Sequence, residues 1–229
     1  MKRLVNLLSL VQFLFIGAIQ AYGRAGGGGG NGGLEGEGGF YISVFLTPFL
    51  VIYGAIITYK LYRKSKKSKE LLRLLAENDP IWHHRRMLAR VEEVFFKVQI
   101  AWKDRNQKTA KDCMSSRIYT KHKMQTDEML KNHRKNILQK INLKEVKIIS
   151  VSDYKTNEND AFAVFIKASL IDYHIDDRSG KLLSGSKSKV EHFQEIWHFI
   201  RERNKWLLDE IDHNITMRKI GQSEHFVEE

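Results

Sequence analysis

The chain has 229 residues, a formal charge of +11 and a single cysteine, Cys113. One cysteine excludes an intramolecular disulfide, and without His and Asn partners at a recognisable spacing it reads as a small buried hydrophobe rather than a nucleophile. Setting the apolar N-terminal segments aside leaves about 160 residues, enough for one domain with a proper core and too few for two.

Lys2 and Arg3 precede an apolar run from Leu4 to Ile19, with small residues around Ala21 and Gly23. Residues 1–22 therefore read as a secretory signal peptide, or else as a first transmembrane helix. Both leave the later part of the chain on the same side of a membrane. Residues 23–39 hold eleven glycines in seventeen positions and form a flexible Gly-rich linker. A phosphate-cradling loop would need a strand before it and often a Lys at the helix that follows, and that context is absent.

The twenty residues from Phe40 to Tyr59 carry no charge, and the ten that follow carry six Lys or Arg. This predicts a transmembrane helix over 40–60, with Pro48 tolerated inside it, followed by a basic juxtamembrane stem over 61–77. The cations Lys60, Arg63, Lys64, Lys66, Lys67 and Lys69 mark the cytoplasmic side, because Lys and Arg beside a span resist translocation.

Asn78-Asp79-Pro80 punctuates the chain, with Asp79 placed to cap and Pro80 to open a new helix. Leu88, Val91, Phe95, Val98 and Trp102 recur at spacings of 3, 4, 3 and 4, the stripe of an amphipathic helix. A second helical region carries Ala110, Met114 and Ile118, and a third carries Met129, Leu130, Ile137, Leu138 and Ile141. From Asn142 the pattern changes to alternation. Strands are expected around Val146 to Val151, Phe162 to Leu170, Val190 to Arg201, and Trp206 to Ile211. Helices followed by four antiparallel strands predict an α+β domain with the helices on one face of a curled sheet.

The charge is unevenly placed. Residues 83–147 carry 17 Lys or Arg against 7 Asp or Glu, a surplus of 10, whereas 148–229 carry 11 against 15. The basic half, with Arg85, Arg86 and Arg90 at its start, directly follows the stem. It is expected either to face an anionic partner, lipid headgroups first, or to be an ordinary solvated helix face.

Catalytic or metal chemistry is hard to find. His83 and His84 are adjacent and diverge by about 100° on a helix, and His192 and His198 lie about 20 Å apart along a strand, so no metal and no cofactor is expected. Asp172, Tyr173, His174, Asp176 and Asp177 cluster where a strand becomes a turn, and Asp belongs in turns. Glu195 shares its strand face with Phe193, Trp197 and Phe199, so a carboxylate there needs a partner, Arg201 or an Arg of the helices.

The run Phe193-Gln-Glu195-Ile-Trp197-His-Phe199-Ile-Arg201, then Trp206-Leu-Leu and Ile211, resembles the signature of the Tim-forty-four-like domain. Asp79-Pro80-x-Trp82 and Phe95-x-x-Val98-Gln99-x-Ala101-Trp102 extend the resemblance over residues 78–213, leaving 214–229 as a C-terminal tail. It implies a cone-like fold of the nuclear-transport-factor-two type and a binding domain rather than an enzyme. The family includes the mitochondrial import-motor membrane anchor, a mitochondrial large-subunit ribosomal protein and bacterial inner-membrane relatives. With a signal peptide and a transmembrane helix expected directly ahead of the domain, no room is expected for the long N-terminal region of the mitochondrial anchor, and the bacterial members are the nearer resemblance.

The resulting expectation is a single-pass protein of the bacterial inner membrane whose cytoplasmic domain is a non-catalytic scaffold. Its partners are the anionic phospholipid surface and a protein: a translocase, a chaperone or a ribosome. Nucleic acid enters only through the ribosome. The alternatives are an enzyme of the same cone fold using Asp172, His174 or Glu195 in a deep pocket, and a ribosome-contacting tether.

Overall fold

A computed structural model describes residues 37–228. The expected signal peptide and residues 23–36 of the linker lie outside them, as do the side chains of residues 37–47 and Leu50. Helix α1 (Glu37–Asn78) runs for 42 residues through Pro48, so the apolar run and the basic stem are one rod. Among the described residues no helix is long and apolar enough to cross a membrane. The first eight residues of the expected 40–60 span have side chains outside the described set.

The last helical bond of α1 runs from Asp79 N to Leu75 O at 2.9 Å. Asp79 then caps the next element, its Oδ1 accepting from Ile81 N at 3.1 Å. That element is a 3-10 turn, Pro80–Trp82, and not yet the helix expected there. Helix α2 (His84–Lys103) starts two residues later and buries Met87, Val91, Val94, Phe95, Val98 and Trp102 on one side. A 3-10 segment, Gln107–Cys113, buries Ala110 and Cys113, and burial pushes the Cys113 thiol up to about 11. Helix α3 (Ser116–Lys131) is capped by Ser115, whose Oγ accepts from Ile118 N.

Helix α3 joins the end of the second expected helical region to the start of the third. The remainder of the third corrects the sequence reading. Ile137, Leu138 and Ile141 belong to strand β1 (Arg134–Asp153). The chain turns at His133, whose φ of 52° ends the helical path, and a second positive φ at Lys140 sits in a bulge between Gln139 and Asn142. The bulge breaks the alternation that would have identified a strand.

Strands β2 (Ala161–Asp176), β3 (Leu182–Glu202) and β4 (Lys205–Asp212) follow as an antiparallel meander. β3 begins eight residues earlier than the alternation at Val190 indicated. After helix α4 (Met217–Gln222), β5 (Phe226–Val227) pairs in parallel with β1. The sheet is therefore five-stranded and mixed, in the order β4-β3-β2-β1-β5, where four antiparallel strands were expected. Two residues are too few to show a period.

The sheet is covered on both faces, another departure. The inner face packs Ile148, Val164, Ile166, Trp197, Phe199 and Leu208 against α2 and α3 in the main core. The outer face carries Ile149, Ala163, Phe165 and Ile196 against Leu61 of α1 and Ile220 of α4. A strand buried on both sides, as β2 is from Phe162 to Ile166, reads as a continuous apolar run. Residues 214–228 are thus built into the domain and do not trail from it.

Candidate functional site

The stem lies against the sheet. Leu61, Ser68 and Leu72 of α1 are buried and Lys64 half-buried, a stripe at spacings of 3, 4 and 4 that faces the domain. Lys64 Nζ donates to Ser223 O in the C-terminal segment. Burial, partly opposed by Glu224, lowers the Lys64 pKa. Lys60, Arg63, Lys66, Lys67 and Lys69 occupy the rest of the circumference and are exposed. N-terminal to them, Phe49, Val51, Ile52, Ile56 and Tyr59 are exposed as well.

Arg85, Arg86 and Arg90 stand elsewhere. At 1.5 Å per residue, Asn78 lies about 28 Å along α1 from Tyr59, so the start of α2 is remote from the uncharged part of α1, though Lys69 at the near end of the stem helps burial to lower the His84 pKa. Arg85 and Arg86 are exposed there. Arg90 is turned inward: Nε donates to Trp206 O and Nη2 to Asp112 O, both at 3.1 Å, and Nη1 pairs with Glu93 at 2.9 Å. The basic half is also neutralised in part by the acidic half. Arg105 binds Asp177 at 2.6 Å, and Arg117 binds Asp209 at 2.6 Å and Glu210 at 2.9 Å. Among the described residues no ion pair involves residues 60–69, so the stem keeps the charge that the domain partly loses.

The aromatic signature residues pack together in the main core. Trp82 and Trp206 meet with ring centroids 4.8 Å apart, and Trp206 Nε1 donates to Ile81 O at 3.2 Å. Phe162 stacks on Phe199 at 4.8 Å and meets Trp206 edge-on at the same distance. Phe95 reaches Trp197 at 5.5 Å, and Phe193 is buried in the same core. Arg201 Nη1 binds Asp79 at 2.6 Å and Asp160 at 3.0 Å, which ties the Asp79-Pro80 turn to the end of β3.

Glu195 is buried, and Trp197 and His213 are among its partners. Trp197 Nε1 donates to its Oε2 at 2.9 Å and His213 Nδ1 to its Oε1 at 2.8 Å. Arg201, six residues along the same strand, is about 20 Å away, which is why it serves Asp79 instead. His213 follows β4 in an irregular segment, and nothing in the pattern of the sequence announced it.

Asp172 and His174 face the interior from the far half of β2 and are both buried. His174 lies 3.4 Å from the Asn136 amide and 3.2 Å from Ser184 Oγ. Burial, aided by Arg134, pushes its pKa down to about 4, so it is neutral near pH 7. Asp176 serves the turn, its Oδ1 accepting from Arg178 N, Ser179 N and Ser179 Oγ. His122 on α3 meets Trp102 edge-on at 5.4 Å and is likewise pushed down to about 4 by burial. Among the described residues no three His, Cys, Asp or Glu side chains group in a way that would hold a metal ion.

Among solved structures, the intermembrane space region of the chloroplast protein ARC6 is similar over 55% of this chain and 95% of that one, at 10% identity and a TM-score of 0.39. A likeness that slight carries no functional argument. No curated protein matches in sequence. The sequence model of the Tim44-like domain matches residues 68–213, well over half of the chain and including every signature side chain from Asp79 to Trp206. The chain belongs to the Tim44-like domain family, the Tim-forty-four-like family its C-terminal strands resemble.

Proposed function

We propose that this is a single-pass protein of the bacterial inner membrane whose Tim44-like domain is held close to the cytoplasmic surface as a non-catalytic scaffold. Its work is then in protein translocation or in the organisation of membrane proteins. The observation that carries this reading is the exposure of α1. Phe49 is 58% exposed, Val51 66%, Ile52 57%, Ile56 41% and Tyr59 61%, on a helix that continues into a cationic stem. Soluble surfaces rarely leave so many large apolar side chains together. A bilayer would cover them, and the stem would sit among its headgroups.

The scaffold reading rests on the family and on the burial of the residues an enzyme would use. Trp82, Phe95, Trp197 and Phe199 are buried in the main core, and Asp172, His174 and Glu195 are buried too, with His174 neutral and Glu195 bound to Trp197 and His213. The stem takes the anionic lipid surface. Arg85 and Arg86, near the other end of α1, are then free for a protein partner such as a translocase, a chaperone or a ribosome.

Alkaline carbonate extraction of bacterial membranes holding the full-length chain, combined with protease digestion, tests the topology. The chain stays in the washed membranes, and its C-terminal domain is protected in spheroplasts and digested in inverted vesicles. Release by carbonate, or digestion from outside, overturns the reading.

A further inference from the structure

The last strand of the sheet has two residues. β1 runs for 20 residues, and β5 pairs with it only at Ser152 and Asp153, where Phe226 and Val227 lie parallel to it. The contacts around that pairing are polar and directional. Ser150 Oγ donates to Glu224 O at 2.8 Å, Glu228 N donates to Asp153 O at 2.9 Å, and Lys155 N donates to Glu228 Oε2 at 3.0 Å. The rings of Tyr154 and Phe226 meet at 4.7 Å. Residues 223–228 therefore sit on the edge of β1 as an added strand does, with main-chain bonds along it and a side-chain contact at each end.

Little holds them there. After Asp212, Ile220 and Ser223 are the only buried residues among those described, and Phe226 is 44% and Val227 39% exposed. Beneath α4 the segment does not close on the sheet: a cavity of about 270 Å³ remains, lined by Ala161, Ala163 and His198 among others. One buried isoleucine is set against the conformational cost of ordering residues 213–228. This stretch opens locally before the domain does.

The surroundings select an acidic strand. Lys67 and Lys64 of α1 help burial to lower the His225 pKa, so the segment presents a neutral ring between two carboxylates, Glu224 and Glu228. Glu224 in turn opposes the burial that lowers the Lys64 pKa. Lys155, whose backbone N–H the Glu228 carboxylate holds, adds a third cation. Three cations thus meet two carboxylates, with an aromatic and an aliphatic side chain between the acids.

We propose that the edge of β1 from Ser150 to Lys155 is a docking site for an extended segment of a protein partner with the pattern acid, any residue, aromatic, aliphatic, acid, and that residues 223–228 occupy it as an internal ligand until the partner displaces them. An exposed sheet edge offers the partner the same main-chain bonds. Displacement takes Ser223 from Lys64 Nζ, so occupancy of the edge is transmitted to the stem. The proposal gives the scaffold reading a class of partner, and it rests on that reading only in that the domain works by binding.

The test uses the full-length chain in an uncharged detergent and a labelled peptide copying residues 223–229, followed by fluorescence anisotropy. In the wild type the internal segment competes. Phe226→Ala combined with Glu228→Gln weakens that competitor, so the peptide binds about tenfold tighter, and adding Tyr154→Ala takes most of the gain away. Hydrogen exchange of the unsubstituted chain is the second measurement: amides of residues 224–228 exchange well before those of the β1–β2 ladder. Equal affinity for the wild type and the doubly substituted chain overturns the proposal, and so does a segment as protected as that ladder. A scrambled peptide that binds as well means bulk charge attraction and also overturns it. A dimer that grows with concentration and that excess peptide leaves intact gives the edge to a second copy of the chain, and overturns the partner. A chain washed out of membranes by carbonate that still binds the peptide brings down the span alone. One that stays and ignores the peptide brings down the docking site alone.

Discussion

Arg201 Nη1 and Asp79 Oδ2 are bound at 2.6 Å although 122 residues separate them, and the same guanidinium nitrogen reaches Asp160 at 3.0 Å. The contact joins the end of β3 to the turn where α1 hands the chain to α2. Arg201→Gln leaves two carboxylates without their cation, one of them fully buried. Removing one partner of a buried ion pair costs about 3–5 kcal/mol. Arg201→Lys keeps the charge but loses the fork, and falls in between. Thermal unfolding in non-ionic detergent, followed by the fluorescence of the adjacent Trp82 and Trp206, reads both; an unchanged midpoint for Arg201→Gln would remove the clamp from the list of what holds this domain together.

Gly185 offers a test of backbone geometry in the β2–β3 hairpin. Its φ is +82°, and a Cβ there would stand 2.5 Å from Asp172 O and 2.8 Å from Tyr173 Cα. Both obstacles are backbone and cannot rotate away. Gly185→Ala is expected to destabilise by about 2–3 kcal/mol from strain and overlap together. Gly180 has a φ of +69° with open space around it, so Gly180→Ala carries only the conformational cost, about 1 kcal/mol. Equal losses for the two, measured by denaturant unfolding, would mean that the hairpin shifts to accommodate the methyl group.

The order of elements was legible because periodicity survives where one face is buried. The alternation from Phe162 to Leu170 and the stripe from Leu88 to Trp102 both report this. What escaped was governed by single residues out of period. His133 and Lys140, at positive φ, turn the chain from helix to strand and then shift its alternation, so Ile137, Leu138 and Ile141 matched a helix equally well. The aromatic signature pointed to packing, and packing is what Trp82, Phe199 and Trp206 do. The contact of Glu195 with His213 was illegible, because His213 reaches it from an irregular segment whose course only the folded sheet determines. The charge segregation along the chain was real, yet pairs such as Arg105 with Asp177 cancel part of it in space.

His122 and His174 give the domain a defined acid weakness. Burial pushes both down to about 4, helped by Lys121 and His213 near the first and Arg134 near the second. In the unfolded chain they titrate near pH 6.5. Between about pH 6.5 and 4 the unfolded state therefore binds protons that the native state does not, and stability falls as pH falls. The loss approaches about 3 kcal/mol for His122 at the acid end, and solvent screening makes it smaller for the less enclosed His174. His122→Phe keeps a ring against Trp102 and removes the titration, so unfolding midpoints measured across this range should decline less steeply than in the wild type. An unaltered slope would mean that His122 charges in the native state as freely as in water.

Two apolar side chains on α1 distinguish the span from the rest of the rod. Val51 is 66% exposed and Leu74 is 53% exposed, on the same continuous helix. If exposure were only an accident of a long helix, a carboxylate would be tolerated equally at both. If residues 40–60 lie in a bilayer, Val51→Asp costs about 2.5–3.5 kcal/mol of insertion free energy. Leu74 is fifteen residues past Tyr59, about 22 Å along the axis, and Leu74→Asp leaves insertion untouched. The fraction of full-length chain resisting carbonate extraction measures the difference: a marked drop for Val51→Asp alone is the expected result. The cations of the stem act on orientation and not on depth, so replacing Lys60, Arg63, Lys66, Lys67 and Lys69 with Gln should leave the extraction result intact while mixing the two topologies in the protease assay. Were that variant to keep one orientation, the basic stem would owe its place to the domain it packs against rather than to the membrane.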